Sequence, residues 1–187
     1  LIIANSYFNY CKQFSIYSSD SGTSYRIKIN DCHFLTSDNS DYYLPTQRHL
    51  YIGGGGWVDS MIEDCTFARS RESDISILSN QTDGLSISNC KFIDSNSASI
   101  VASNGSNLKV SNSEWKRTGG YPIDSVIRTE VYNCDFYSPF VAGIPTNDYD
   151  KGCVRIQQTA ANGSRVVNCQ TDSSSVAVLC VRNNASV

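Results

Sequence analysis

The chain has 187 residues, enough for one domain with a sizeable buried core. Hydrophobic residues make up 40% and charged residues 18%, and the net charge of −3 leaves no basic surplus to neutralise phosphates, so a nucleic-acid binder is not expected. The apolar runs are only a few residues long, so no membrane insertion is expected, and Leu1–Ala4 is too short for the apolar stretch of a leader.

Ala and Leu are scarce, whereas Ser, Asn, Tyr, Val and Ile are common. Ser and Asn compete with helical backbone bonds, and Val, Ile and Tyr suit strands. Short alternating stretches such as Tyr25–Ile29 and Gly84–Ser88, bounded by Asn, Asp, Gly and Ser, predict strands and turns throughout.

Along the chain one pattern recurs. It opens with Ile3, Asn5, Ser6 and Phe8, and returns as Ile29, Asp31, Cys32 and Phe34, then as Ile62, Asp64, Cys65 and Phe67. Next come Ile87, Asn89, Cys90 and Phe92, then Val110, Asn112, Ser113 and Trp115. The last two are Val131, Asn133, Cys134 and Phe136, and Val166, Asn168, Cys169 and Thr171. With the Cys or Ser as position zero, the spacings are 26, 33, 25, 23, 21 and 35 residues. Position −3 is always β-branched, −1 is always Asn or Asp, and +2 is aromatic in six of seven cases.

Positions −5 and −3 share one strand face, as do 0 and +2, but the step from −3 to 0 is odd. A corner must lie between them. Asn or Asp at −1 supplies it, because these residues tolerate the left-handed backbone region. A third strand fits the longer gap, as in Ile75–Ile77, Ser99–Ala102, Cys153–Ile156 and Val178–Val181. Three short strands per repeat, with like residues stacked at the same corner, predict an all-β fold: a parallel β-helix of about seven coils, one domain over 1–187. A leucine-rich repeat is the rival, but it needs regular Leu and a constant period.

The corners Asn89-Cys90-Lys91-Phe92, Asn133-Cys134-Asp135-Phe136 and Asp31-Cys32-His33-Phe34 resemble those of the pectate-lyase-like right-handed parallel β-helices. The resemblance spans nearly the whole chain. It implies the fold but not one activity, since lyases, galacturonases, epimerases, phage tailspikes and adhesins share it. Of the galacturonase-like motifs only Arg26-Ile27-Lys28 is present, and strand alternation explains it. Pectate-lyase signatures are absent. The chain is most similar in character to a segment of a tailspike or polysaccharide depolymerase.

Five of the eight Cys occupy position zero, where Ser6 and Ser113 replace them. A Cys that exchanges with Ser is a small interior residue, so reduced thiols and folding in a reducing cytosol are expected. The sequons at Asn80, Asn104, Asn162 and Asn184 are expected from composition and to be unglycosylated. The chain starts and ends inside coils, so a piece of a longer chain, with its ends covered by flanking segments or other chains, is expected.

Position +1 points outward and holds Tyr7, His33, Thr66, Lys91, Glu114, Asp135 and Gln170. Glu114 and Asp135 on neighbouring rungs are candidate glycosidase carboxylates. The alternative is a solvated charge ladder in which Lys91 offsets Glu114. The insertions at 35–56 and 137–152 carry Tyr42, Tyr43, Trp57 beside the first, Tyr137 and Tyr149. With His33 and Lys91 these are candidate substrate-binding residues, since flat aromatic faces with polar edges suit sugar rings; alternatively they pack the loops or meet another subunit. Gly53–Gly56 lacks the Lys-Ser/Thr of a phosphate loop and predicts a tight re-entry into Trp57. The only histidines, His33 and His49, lack metal-ligand spacing, so no metal site or cofactor is expected; Asp148 and Asp150 with loop carbonyls are the alternative, as Ca²⁺ ligands. The leading expectation is a polysaccharide-binding, extracellular or virion β-helix, homotrimeric, that hydrolyses a surface glycan. A non-catalytic shaft or adhesin, or a fragment of a secreted lyase or epimerase, are the alternatives.

Overall fold

A computed structural model describes residues 1–9, 11, 14–18, 22–35, 48–139, 152–157, 162–173 and 176–182. One coil shows how the sequence turns. Strand Ser86–Ser88 buries Ile87 and points both serines outward. Asn89 takes φ 53° and swings the chain, so that Cys90 again faces inward. Strand Lys91–Ile93 buries Phe92, and Asp94 at φ 58° makes a second left-handed corner. Strand Ile100–Ala102 follows, and Asn107 at φ 52° makes the third corner before Leu108–Ser111 lies down on Ser86–Ser88.

Among the described residues, repetition of this coil builds three parallel seven-stranded sheets. The first holds Ile2–Ala4, Lys28–Asn30, Met61–Glu63, Ser86–Ser88, Leu108–Ser111, Thr129–Tyr132 and Arg165–Val167. The second holds Tyr7–Asn9, His33–Leu35, Thr66–Ala68, Lys91–Ile93, Glu114–Lys116, Asp135–Tyr137 and Gln170–Thr171. The third holds Phe14–Ser18, Arg48–Ile52, Ser73–Ile77, Ile100–Ala102, Ile123–Ser125, Gly152–Gln157 and Ala177–Arg182. The three-stranded coil and its in-register stacking agree with the sequence expectation.

All seven Asn or Asp residues at the first corner lie at φ between 51° and 54°. Their side chains also tie rungs together: Asn133 Nδ2 donates to Asn112 Oδ1 at 3.1 Å, and Asn168 Nδ2 to Asn133 Oδ1 at 2.8 Å. The other two corners are left-handed as well, at Arg69, Asp94, Arg117 and Ser138, and at Arg26, Asp59, Gly84, Asn107 and Gly163. The tetraglycine makes the tight re-entry expected of it. Gly56 sits at φ 71°, where a side chain would overlap the Gln81–Thr82 backbone.

The interior is a set of columns. Phe8, Phe34, Phe67, Phe92, Trp115 and Phe136 stack with centroids 4.7–5.1 Å apart. At position zero, Cys32, Cys65, Cys90 and Cys134 are buried and each thiol donates to the carbonyl two residues earlier, at 3.1–3.3 Å. Ser113 and Ser6 make the same bond at 2.8 and 2.9 Å, which is why Ser and Cys exchange there. None of the eight cysteines is in a disulfide. Burial raises the pKa of Cys32 and pushes that of Cys153 up to about 12, so neither presents a reactive thiolate near neutral pH. Thiol titration is therefore expected to find Cys32, Cys65, Cys90, Cys134 and Cys153 only after denaturant is added, with no shift in Tm on adding reductant. Native-state reaction of these five, or a reductant-sensitive Tm, would contradict the stack.

Candidate functional site

The second sheet exposes a row of polar side chains because positions 0 and +2 face the core. Strand pairing sets Tyr7 beside His33, His33 beside Thr66, Thr66 beside Lys91, Lys91 beside Glu114, Glu114 beside Asp135, and Asp135 beside Gln170. The two carboxylates therefore sit on adjacent rungs of one outward face, whose backbones are separated by about 4.8 Å. Asn133, Asp135, Asn168, Cys169 and Gln170 line a polar cavity of about 350 Å³ at one end of this row.

Glu114 is ion-paired, but to Lys116 at 2.5 Å and not to Lys91. Lys116 lies two residues further along the same strand and on the same outward face, so it reaches the carboxylate without crossing a rung. Its ammonium lies 5.9 Å from the Tyr137 ring centre, which brings Tyr137 into the same patch. Among the described residues neither Lys91 nor Asp135 has an ion-pair partner. His33 is exposed and packs on Tyr7 at 5.6 Å, further along the row from the carboxylates.

Trp57 is a correction. It is 2% exposed, and its backbone N–H donates to Thr82 Oγ1 at 3.3 Å. The indole belongs to the core and offers no face to a sugar. Tyr42, Tyr43 and Tyr149, like Asp148 and Asp150, lie outside the described residues.

Three further groupings are not legible from spacing. Inside the solenoid, His49 and Asp74 are both fully buried, with His49 Nε2 3.7 Å from Asp74 Oδ1. On the outer face of the third sheet, Arg155 makes a bidentate pair with Asp124 at 2.9 and 2.6 Å, and its guanidinium stacks 3.8 Å over the Tyr121 ring. Near the start of the same sheet, Phe14, Tyr17 and Tyr51 form an aromatic cluster. Strand-to-strand register is the signal that finds these, because in each grouping it joins residues on neighbouring rungs that lie 25 or more residues apart in the chain.

Among the described residues no cluster of three or more His, Cys, Asp or Glu is placed to hold a metal ion, and no helix is long and apolar enough to cross a membrane. Comparison with curated proteins finds no match, and comparison with solved structures finds none either. Comparison with protein families matches residues 48–187 to one described as a right handed beta helix region. That match covers most of the chain and agrees with the three parallel sheets and their stacked corners, so the chain belongs to the right-handed β-helix family.

Proposed function

We propose that the chain binds a polysaccharide along the outer face of the second sheet and cleaves it with Glu114 and Asp135. The observation that carries the reading is the in-register pairing of these two carboxylates on one outward row, beside a polar cavity that Asp135 itself lines. Two carboxyl groups on neighbouring rungs can span the separations used in glycoside hydrolysis, roughly 5–5.5 Å with retention and 6.5–9.5 Å with inversion. One serves as acid to the leaving oxygen, the other as nucleophile or as base to a water. Lys91, Gln170 and Tyr137 on the same surface supply donors and a ring face for the flanking sugars. The free-thiol core supports folding in a reducing cytosol, and the reading extends to a homotrimer displayed on a virion or outside the cell.

The Glu114–Lys116 pair favours one second reading, a solvated charge ladder on a structural shaft. The two readings separate on reducing-end release from bacterial surface glycans. Glu114→Gln and Asp135→Asn are each expected to abolish release while sparing glycan binding and leaving Tm within a few degrees, because outward residues contribute little to the core. Full activity in Glu114→Gln overturns the assignment of the carboxylates. A wild-type chain that neither cleaves nor binds glycan leaves the shaft.

A further inference from the structure

We infer that the outer face of the third sheet carries a separate sugar subsite, an aromatic platform of Tyr17 and Tyr51 rimmed by Arg48 and Glu72, which takes a neutral pyranose ring. The inference rests on the glycan reading above but uses none of its residues.

The platform follows from strand alternation. Ile16 and Ser18 on one rung, and Leu50 and Ile52 on the next, pair in register, with Leu50 and Ile52 in the core. Tyr17 and Tyr51, which lie between them and pair with each other, face outward. Their rings are 5.1 Å apart with 27° between planes, and Phe14 packs against both, at 4.8 and 5.0 Å. Tyr17 is 55% exposed, a large ring left open to solvent on a face where the core neither needs nor covers it.

Gly53 holds the second ring down. A Cβ at this position would lie 2.5 Å from Tyr51 Cε1, so the ring lies over the glycine backbone. Gly53 is not at positive φ, so the turn itself does not require glycine there; the space for the ring does. Arg48, on the same strand, sets its guanidinium 5.5 Å from the Tyr51 ring centre and pairs with Glu72 at 2.5 Å. The next residue in this outward column is Ser76, small and buried, which ends the aromatic surface on that side.

A flat apolar area bordered by one carboxylate and one guanidinium matches the two-sided chemistry of a pyranose. Its C–H face lies on the rings, and its hydroxyls reach an acceptor at Glu72 and donors at Arg48. Stacked nucleobases also use such rings, but a nucleic acid needs cations along its backbone. Here the rim cation is already paired and the chain carries a net charge of −3. The same count argues for a neutral sugar over an anionic one.

The test uses the whole chain and a panel of neutral hexose oligosaccharides, with binding read by calorimetry and by tyrosine fluorescence. Tyr51→Ala and Gly53→Ala are each expected to weaken binding about three- to tenfold, in line with the loss of one aromatic contact. Tyr51→Phe is expected to bind as wild type. Melting curves check that every variant folds. Gly53→Ala separates ring placement from ring removal, since it keeps every aromatic atom and only lifts the ring. Binding that survives both Tyr17→Ala and Tyr51→Ala in folded protein overturns the inference. If the same binding is lost in a Lys91→Ala/Tyr137→Ala double variant, which removes second-sheet binding groups, the second-sheet reading stands without it. Loss at Tyr51 with no effect of the Lys91→Ala/Tyr137→Ala variant supports the platform and counts against binding on the second sheet. A chain that binds no neutral sugar overturns the platform outright.

Discussion

Phe92→Ala is expected to destabilise the chain by about 3–5 kcal/mol, the range for deleting a buried aromatic ring from a close-packed core. Phe92 has no solvent exposure and lies between Phe67 at 5.1 Å and Trp115 at 4.8 Å. Neither neighbour can slide into the space, because each is fixed to its own rung by the strand ladder on either side. The cavity would therefore stay open, which is what sets the high end of such costs. Phe8 is the internal control. It is only partly buried and stacks on Phe34 alone, so Phe8→Ala should cost clearly less. Urea unfolding of the two variants measures the difference. A Phe92→Ala loss below about 1 kcal/mol, or one no larger than that of Phe8→Ala, would mean the aromatic column does not hold the coils together.

The first corner was legible because one residue type does one job at every repeat. Only Asn and Asp occupy −1, and all seven have the left-handed backbone that choice implies. The aromatic and cysteine columns were legible for a related reason: identical side chains stack best on themselves at a strand spacing near 4.8 Å. The other two corners demand the same backbone, yet Arg69, Arg117 and Arg26 occupy it alongside Asp94, Ser138, Asp59 and Asn107. Arginine carries no local signature for that region, so nothing in the composition marks it. At Arg117 the compensation lies on the neighbouring rung, where Asp94 accepts from Nε and Nη2 at 2.5 and 2.8 Å. Such a partner becomes visible only once the coils are stacked.

The same limit governs the candidate site. The pairing of Glu114 with Asp135 could be read because both share one offset from their corners, with 21 residues between them. The Glu114–Lys116 pair was missed, although alternation along a single strand predicts it: residues two apart share a face. Trp57 was misread for a different reason. An aromatic residue after a glycine run looks like a loop residue, but it pairs with Ser24 in a short two-stranded sheet and turns its ring inward.

Asp74→Asn and His49→Gln are expected to change stability with opposite dependence on pH. The two residues adjoin on neighbouring rungs, deep in the solenoid. His49 packs against the Phe34 and Phe67 rings, and its Nε2 lies 3.1 Å from the Ala68 carbonyl, a bond that assigns the proton to Nε2. Asp74 Oδ2 accepts from Ser95 at 2.5 Å, while its Oδ1 has no hydrogen-bond partner. Among the described residues no other charged side chain is paired with either. Burial disfavours both charged forms: it pushes His49 down to about 4 and Asp74 up to about 6. Between pH 4 and 6 the folded chain keeps the Asp74 proton that the unfolded chain has released, so this group's contribution to stability falls as pH rises. Over the same range the unfolded chain holds a His49 proton that the folded chain has lost, so this contribution rises with pH. Each amounts to about 3 kcal/mol across its window, from two-odd pKa units at 1.36 kcal/mol per unit. The two offset each other in the wild type. Relative to wild type, Asp74→Asn should therefore gain stability as pH goes from 4 to 6, His49→Gln should lose it, and the double variant should stay level. Urea midpoints at pH 4, 5, 6 and 7 read all three. Single variants that run parallel to the wild type, or that move in the same direction, would show that the buried pair does not hold its protons in this way.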